Sequence, residues 1–327
     1  MAEQDPRFVS VTPMKNEGPF VLEWVAHNQA IGIDQMVVMT NDCTDGTDAL
    51  LQRLHDRGVL THVDNNSRRA TSPQKRAYKK FLRMEVARPQ DWVLAIDADE
   101  LINVKTGDNT LRALTQAIPQ ARTISMTWRL FGNGGVVDYQ DRFLSEQFRQ
   151  AAPEFKARPP QAWGFKTMFQ RELWGALGVH RPHRATVETM EECHWYNGSG
   201  QPMPERYYTQ SWRSARDSYG YDLVQLNHYA LKSCESYLVK KLRGRAHHTG
   251  GDLGLEYWSI MNQNAVTDHS IDAIADRKAA CHAALMDDPE TARLHHQSCD
   301  LHREKVAELR QLPEMQELLQ KMTGGKP

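Results

Sequence analysis

The chain has 327 residues, of which 40% are hydrophobic and 25% are charged, with 20 glycines and 15 prolines. These proportions predict a globular protein with a sizeable core and exclude a collagen-like, low-complexity or wholly disordered chain. The 40 basic side chains against 41 acidic ones leave a formal net charge of −1. No overall basic field is available to hold nucleic acid, so we do not expect nucleic acid as a partner.

The cysteines and the N-terminus indicate the compartment. Five cysteines occur at irregular spacing, namely Cys43, Cys193, Cys234, Cys281 and Cys299. An odd number in a chain that can fold without disulfides predicts free thiols in a reducing cytosol. The N-terminus lacks a signal-type apolar region, and no run of about 18 apolar residues occurs. We therefore predict a cytoplasmic protein without a transmembrane segment.

The first hundred residues alternate between strand and helix patterns. Strands are predicted at residues 9–12, 36–40, 59–63 and 92–96. Helical spacing lies between them, in segments that end at Gly32 and Gly58 and in the segment 73–86. A βαβαβαβ order predicts a parallel sheet with right-handed crossovers and helices on both faces.

The pattern changes after Thr123. A strand over 123–131 precedes a middle region rich in glycine, proline and aromatic residues, where we expect long functional loops. From about residue 270 the spacing is helical again, and Asp288-Pro289 is typical of a helix N-cap followed by proline. The predicted fold class is therefore α/β, with a mostly parallel sheet and a C-terminal helical segment.

The strongest local signal is Asp97-Ala98-Asp99-Glu100, directly after the buried strand 92–96. Open parallel sheets place ligands at the carboxyl ends of their strands, so these carboxylates can face a shared crevice. Mg²⁺ and Mn²⁺ bind through one or two carboxylates plus substrate phosphates, so the pair suits a nucleoside diphosphate. The alternative is a solvated acidic turn.

Two further loops follow predicted strands at the same edge. In the loop 41–47, Asp42 could accept a hydrogen bond from a nucleobase, whereas Asp45 or Thr47 can simply cap the next helix. The loop 13–18, Pro-Met-Lys-Asn-Glu-Gly, follows the first strand. Either loop could also be an ordinary βα connection.

The amino-acid sequences of these loops resemble those of family 2 glycosyltransferases and their relatives, which share the GT-A (Rossmann-like) fold. The segments MKNEGPFVLEWVAHNQAIGID and TNDCTDGTD resemble a bacterial branch of that group, as do WRLFGNGG and LNHYALKSCESYLVKKLRG further on. The resemblance covers about residues 8–245. It implies a GT-A catalytic domain over 1–265, with a nucleotide-sugar-binding half (1–122) and an acceptor half (123–265), and the helical spacing further on predicts a helical extension over 266–327.

The resemblance also implies a reaction. The protein would move a sugar from a nucleotide-sugar donor, with a UDP-sugar favoured, to a glycan, a lipid-linked acceptor or another cell-surface precursor, usually with inversion. Mn²⁺ or Mg²⁺ would bind at Asp97, Asp99 and His228. The nucleotide-binding positions would be Pro13, Asn16, Glu17, Asp42, Asp64, Asn65, Gln74, Asp97 and Lys232. The second motif begins Asn-Asp rather than the commoner Asp-Asp, which leaves the base preference open.

Inversion needs a carboxylate that removes the proton of the acceptor hydroxyl. The candidates are Asp138, Asp141 and Glu146, which follow FGNGG, and Glu191. The sequence does not choose between them.

Several other polar and aromatic residues have two interpretations. The pairs His180/His183, Cys193/His194 and His295/Cys299 invite a zinc hypothesis, but neither CxxC nor HExxH occurs, and we interpret them as surface, core or acceptor-side residues. The run Lys232, Lys240, Lys241, Arg243 and Arg245 is interpreted mostly as a solvated helix face, with Lys232 exempted because it is close to His228. Among the aromatic residues, Trp195 is the preferred candidate for an exposed side chain that stacks on a sugar ring.

Three alternatives remain open. A phosphotransferase of the haloacid dehalogenase type would also carry DxD after an apolar strand, although usually nearer the N-terminus. A nucleotidyltransferase would normally have a glycine-rich, basic loop after its first strand. A non-catalytic nucleotide- or glycan-binding protein could retain the same fold. The C-terminal helices could also support a homo-oligomer.

Overall fold

A computed structural model describes residues 5–67, 72–156, 158–189, 191–243 and 254–324. Arg245 of the basic run lies outside the described residues. The strands are β1 Phe8–Met14, β2 Gln35–Thr40, β3 Thr61–Asp64, β4 Trp92–Ala95, β5 Glu100–Val104, β6 Thr123–Leu130, β7 Gln150–Ala151, β8 Phe165–Gln170, β9 Trp174–Ala176, β10 His183–Ala185, β11 Trp195–Asn197, β12 Val224–His228 and β13 Val266–Thr267. The helices are α1 Val21–Ala30, α2 Thr47–Asp56, α3 Pro73–Met84, α4 Leu111–Ala117, α5 Leu144–Gln147, α6 Cys234–Arg243, α7 Leu255–Met261, α8 Ala275–Met286, α9 Pro289–Leu309 and α10 Pro313–Met322.

The first four strands form the parallel sheet that the sequence predicts. Their order is β3-β2-β1-β4, and each neighbouring pair is parallel. The first two helices end before Gly32 and Gly58, which adopt φ of 84° and 72°. A positive φ is a conformation that glycine adopts without steric cost, so these residues terminate helices efficiently. Because β1 to β4 are parallel, their carboxyl ends lie at the same edge of the sheet.

The sheet continues through strands from the second half of the chain. β8 pairs antiparallel with both β4 and β6, and β12 lies parallel to β6 and antiparallel to β5. Alternate residues of β2 enter opposite cores, Met36 and Val38 on one face and Val37 and Met39 on the other. Since successive side chains of a strand point to opposite faces, both faces are covered. The α/β fold class is confirmed.

The C-terminal helices pack on helices from both halves of the chain. α8 contacts α1, and α9 contacts α2 and α6. Asp288 caps α9 by accepting a hydrogen bond from the Thr291 N–H, as predicted, and it also binds Arg53 of α2. At the start of the predicted extension 266–327, β13 pairs with β7. Within the described ranges, no helix has the length and apolar character needed to cross a bilayer.

A buried ion pair anchors α8. Lys278 Nζ lies 3.0 Å from Glu23 Oε1 of α1, and both side chains are almost fully buried. Glu23 also accepts hydrogen bonds from Ser145 and from the Leu144 N–H. One carboxylate therefore joins α1, α5 and α8.

We predict that Lys278→Ala lowers the free energy of unfolding by about 3–5 kcal/mol, because it leaves the buried Glu23 without its cation. Denaturant unfolding measures this change. Lys321→Ala is the matched control, since Lys321 pairs with Glu317 on the exposed surface of α10 and should change stability by at most about 1 kcal/mol. Equal effects of the two substitutions would contradict the anchoring role.

Candidate active site

The candidate site lies where the loops after β1, β2, β3 and β4 meet. Because these strands are parallel, their following loops share the carboxyl edge of the sheet. Backbone hydrogen bonds link the loops, from the Asn41 N–H to the Met14 carbonyl and from the Asn65 N–H to the Thr40 carbonyl. The loops after β1, β2 and β3 are therefore adjacent in space, and the DxD turn lies next to them because β4 pairs with β1.

Asp97, the first carboxylate after β4, pairs with a buried cation. Lys166 Nζ of β8 lies 2.9 Å from Asp97 Oδ2 and 3.3 Å from Glu100 Oε2. Burial alone would lower the pKa of Lys166, but the two carboxylates raise it well above its ordinary value. Gln74 Nε2 donates a long hydrogen bond of 3.5 Å to Asp97 Oδ1. Asp97 remains partly exposed to the crevice, at 28% of its side chain.

Glu100 is a structural member of the same cluster. It is fully buried, accepts a hydrogen bond of 2.7 Å from Trp128 Nε1, and accepts another of 2.8 Å from the Asp97 N–H. Burial raises the pKa of this carboxyl group, and Lys166 opposes the rise. Glu100 thereby holds the backbone of the DxD turn in place.

Asp99, the second carboxylate, faces groups from later elements. Lys240 Nζ of α6 donates a hydrogen bond of 2.8 Å to Asp99 Oδ2, and His228 Nε2 at the end of β12 lies 3.8 Å from Asp99 Oδ1. Burial would raise the pKa of Asp99, but Lys240, His228 and Lys232 hold it well below its usual range. Asp99 is therefore a carboxylate at neutral pH.

His228 presents a neutral ring to Asp99. Its ring packs on Trp128 with centroids 4.5 Å apart, and burial lowers its pKa to about 4 although Asp99 opposes the shift. Its Nδ1 atom is buried and has no hydrogen-bond partner among the described residues. A neutral imidazole beside a carboxylate is a suitable pair of metal ligands.

The donor set fits a hard divalent ion with two protein ligands rather than three. Asp99 and His228 are brought together, but within the described residues Asp97 does not join them in one cluster of ligand atoms within 4.8 Å. Mg²⁺ and Mn²⁺ are commonly held by one or two protein ligands while phosphates and water complete the shell. Asp99 and His228 are the residues that would hold such an ion.

The predicted nucleotide residues line the same edge. Asn16 bonds to Thr44 of the neighbouring loop through both its Oδ1 and its Nδ2. Asn16 and Asp42 both adopt the left-handed region, with φ of 52° and 49°. Non-glycine residues pay a steric cost there, which is common at ligand sites. The exposed Asp42 carboxylate accepts a hydrogen bond from Asn41, and its backbone N–H donates to Asn66.

Glu17 and Lys232 tie the first loop to the second half of the chain. Lys232 Nζ donates a hydrogen bond of 2.7 Å to Glu17 Oε2, and both side chains are buried. The ammonium also lies 3.5 Å from the centroid of the Phe20 ring, a cation–π contact. The backbone of Lys232 lies in the left-handed region, with a φ of 62°.

The weaker candidates have different surroundings. Asp64 is exposed at the end of β3, and Pro13 lies within β1. Asn65 is buried and bonds to the Pro73 carbonyl and to Arg76, which gives it a structural role. Gln74 is buried near Asp97, and its Oε1 has no hydrogen-bond partner within the described part of the chain.

The general-base candidates have other partners. Asp141 Oδ1 is 3.3 Å from His295 Nε2 of α9. Glu146 lies in α5, 3.9 Å from Arg142, and Glu191 is exposed in a short 3-10 helix. Asp138 pairs with Arg310. The structure brings none of them next to Asp99 through a described ion pair, and the identity of the base stays a prediction.

Two expectations about side-chain exposure were wrong. Trp195 is not an exposed stacking residue, because it is 4% exposed and donates a hydrogen bond of 2.7 Å from Nε1 to Ser125 Oγ. Lys240 does not lie on a solvated helix face, because it is turned inward to Asp99. Helical periodicity alone cannot show that a distant carboxylate lies beside the inner face of α6.

A different aromatic group lies beside His228. Trp128 contacts His180 and Trp212 with ring centroids 5.3 Å and 5.8 Å apart, and His180 stacks on Trp212 at 4.4 Å. His180 and Trp212 are half-buried. His183, in contrast, is exposed in β10.

Sequence reasoning missed Lys166. The available signal was a lone charged residue, a lysine, in the otherwise uncharged strand FKTMFQ. A buried cation of this kind needs a carboxylate partner. Only the antiparallel pairing of β8 with β4 identifies the partner as Asp97.

Asp99 and the neutral His228 thus lie together at the carboxyl edge of an α/β sheet. The sequence model of glycosyltransferase family 92 matches residues 6–199. Because this is more than half of the chain, the protein belongs to glycosyltransferase family 92. The predicted glycosyltransferase class is confirmed, whereas the specific resemblance to family 2 is not.

Comparisons with other proteins add little detail. No curated protein sequence matches. The S. aureus TarS 1–349 structure is similar at 11% identity and a TM-score of 0.33, over 97% of this chain and 88% of that chain. TarS 1–349 in complex with UDP matches at 17% identity and a TM-score of 0.28, over 41% and 38%. A 4-diphosphocytidyl-2C-methyl-D-erythritol synthase matches at 16% identity and a TM-score of 0.30, over 52% and 78%. Similarities this weak assign neither donor nor acceptor.

We predict that His228 titrates with a pKa near 4 in the metal-free protein. The measurement is NMR of histidine-labelled protein in a chelator, with the resonance assigned through His228→Asn. Because the folded pKa lies below the unfolded value of about 6.5, stability from this group falls as the pH drops from about 6.5 to 4 and is constant outside that window. Titration near 6.5 would mean that the ring is solvated and not held beside Asp99.

Proposed function

We propose that the protein transfers a sugar from a nucleotide-sugar donor, with a UDP-sugar favoured, to a glycan or lipid-linked acceptor in a reaction that depends on Mn²⁺ or Mg²⁺. The observation that carries the proposal is the Asp99–His228 pair at the carboxyl edge of the sheet in a chain of family 92. A carboxylate and a neutral imidazole supply one hard oxygen and one nitrogen, and they leave further positions for phosphate oxygens. When bound, the ion would supply positive charge that stabilises the diphosphate leaving group.

Cationic side chains of the protein would also stabilise the diphosphate leaving group. A small cleft between the first loop and α6 is lined by Asn16, Glu17, Lys232 and Lys240. Both lysines are largely buried, so their charges act at low dielectric and are little screened by salt. Lys240 at present neutralises Asp99, and a divalent ion at Asp99 would release its ammonium for a phosphate oxygen. We assign Lys240 to the diphosphate.

The remaining loops would hold the nucleoside. Asp97 stays partly exposed although it pairs with Lys166, and it could accept hydrogen bonds from the ribose hydroxyls. Asp42 and Asn16 project from strained loop positions on the same edge. The unpartnered Oε1 of Gln74 lies beside Asp97 and could accept a further hydrogen bond.

The aromatic group suits the sugar or the acceptor. Trp128, His180 and Trp212 adjoin His228, and apolar ring faces of sugars pack on such side chains. A carboxylate would remove the proton from the acceptor hydroxyl; Asp141, Glu146 and Glu191 are the predicted candidates, and none has a described contact with this aromatic group. Inversion and the general base follow from the family 2 resemblance alone.

The principal alternative is a nucleotide- or glycan-binding protein without catalysis. It would bind donor and metal through the same residues but release no nucleoside diphosphate. Assays of product release separate the two functions.

We predict that Asp99→Asn abolishes transfer and leaves the fold intact, because it removes the carboxylate charge at the metal position and keeps the side-chain size. The assay screens UDP-sugars and other nucleotide sugars with Mn²⁺ for release of nucleoside diphosphate. Asp48→Asn, at an exposed carboxylate in α2, is the control and should behave as wild type. More than about a tenth of wild-type activity in Asp99→Asn, a loss below about 1.4 kcal/mol, would rule out the metal role.

We predict that Lys240→Met increases the affinity for Mn²⁺ at least about tenfold and weakens nucleoside diphosphate binding, because the ammonium that competes for Asp99 is removed. Electron paramagnetic resonance of free Mn²⁺ measures the first effect, and calorimetry with UDP measures the second. Lys241→Met is the matched control on the same helix. Unchanged Mn²⁺ affinity in Lys240→Met would show that the ion does not use Asp99.

A further inference from the structure

A second group of metal-ligating side chains lies away from the crevice, between the loop after β6 and helix α9. Its members are Asp141 of the loop and His295, His296 and Cys299 of α9. One possible ligand atom from each of Asp141, His295 and His296 lies within 4.8 Å of the others. Cys299 Sγ lies 3.7 Å from His295 Nε2. The sequence shows the pair His295/Cys299 but cannot show that Asp141 completes it.

Two of the separations match the edges of a tetrahedral zinc site, although Cys299 Sγ does not lie within 4.8 Å of all three other ligand atoms and would have to move closer to complete the set. Zn²⁺ binds histidine nitrogen and carboxylate oxygen at about 2.0–2.2 Å and cysteine sulfur at about 2.3 Å. In a tetrahedron these bond lengths place nitrogen and oxygen about 3.4 Å apart, and nitrogen and sulfur about 3.6 Å apart. The observed distances from His295 Nε2 are 3.3 Å to Asp141 Oδ1 and 3.7 Å to Cys299 Sγ.

The position of these residues along α9 explains why they can converge. Residues three and four apart share a helix face, so Cys299 lies on the same side as both His295 and His296. His295 and Cys299 are buried, at 4% and 0% exposure, whereas His296 is exposed. Two buried ligands and two exposed ones, Asp141 and His296, leave a route by which an ion can enter from solvent.

The sulfur of Cys299 has a hydrogen-bond donor beside it. Tyr139 donates a hydrogen bond from its hydroxyl to Cys299 Sγ at 3.2 Å. Hydrogen bonds to a ligating sulfur are a common outer-shell feature that fixes the ligand and balances its charge. The Tyr139 ring in turn packs against His302 of α9, with centroids 4.5 Å apart, and against Phe20 at 6.1 Å.

We propose that Asp141, His295, His296 and Cys299 form a structural site for Zn²⁺ that fastens the loop after β6 to helix α9. Sulfur and imidazole donors favour Zn²⁺ over the hard ions Mg²⁺ and Mn²⁺. The inference is independent of the proposed transferase activity, because none of these four residues belongs to the Asp99 crevice. It also gives Asp141 a role other than that of general base.

The test is a Co²⁺ titration of the full-length, chelator-treated Asp99→Asn protein, in which the crevice ligand has been removed. We expect one equivalent of Co²⁺ to produce intense tetrahedral d–d bands and a thiolate-to-Co²⁺ charge-transfer band, both of which Zn²⁺ then displaces. Cys299→Ser should remove the charge-transfer band and weaken binding at least about tenfold, as changes at weaker outer-shell partners already do. Cys281→Ser, at a half-buried cysteine of α8, should retain both.

A second variant tests the same site at an exposed residue, so that the test does not depend on the folding of Cys299→Ser. His296→Ala changes an exposed side chain and should weaken Co²⁺ binding with an unchanged circular dichroism spectrum, whereas the exposed His55→Ala should not weaken it. Wild-type Co²⁺ affinity in His296→Ala reduces the site to three ligands and contradicts the proposal as stated. Absence of a thiolate band in the parent protein would mean that the cluster is only the His295–Asp141 ion pair.

Discussion

Charge compensation of the buried carboxylates after β4 is the constraint on which the rest of the site depends. Asp99 and Glu100 are nearly or fully buried, and Asp97 is mostly so. Isolated buried carboxylates would cost several kcal/mol each, so the fold must bring cations to them. Lys166 of β8 does this for Asp97, and Lys240 of α6 does it for Asp99.

This requirement joins the two halves of the chain. The DxD turn belongs to the first half, and both lysines, as well as His228, belong to the second. The Glu17–Lys232 pair makes the same connection at the first loop. Removal of any one of these cations would leave a buried carboxylate without its partner, so these ion pairs couple the two halves of the chain. The buried Glu23–Lys278 pair extends the same principle to the C-terminal helices.

The sequence predicted the parts of the fold that local patterns determine. The strands β1 to β4, the helix ends at Gly32 and Gly58, and the Asp288 cap could be predicted from periodicity and capping chemistry. The adjacency of the three loops followed from parallel pairing. Lys166 and Lys240 could not be assigned, because their partners are distant in sequence and depend on how β8 and α6 pack. Trp195 was misjudged for a related reason, since the short strand β11 that buries it pairs with β6 across a long separation.

The central claim is that a divalent ion binds between Asp99 and His228 beside the diphosphate. The most direct measurement is a crystal structure of the protein with UDP and Mn²⁺, with data collected at the manganese absorption edge. We expect an anomalous peak at coordination distance from both Asp99 Oδ1 and His228 Nε2, with Lys240 turned from Asp99 toward a phosphate oxygen. A peak bound by neither residue, or UDP bound in the crevice with Lys240 still on Asp99 and no ion present, would contradict the account.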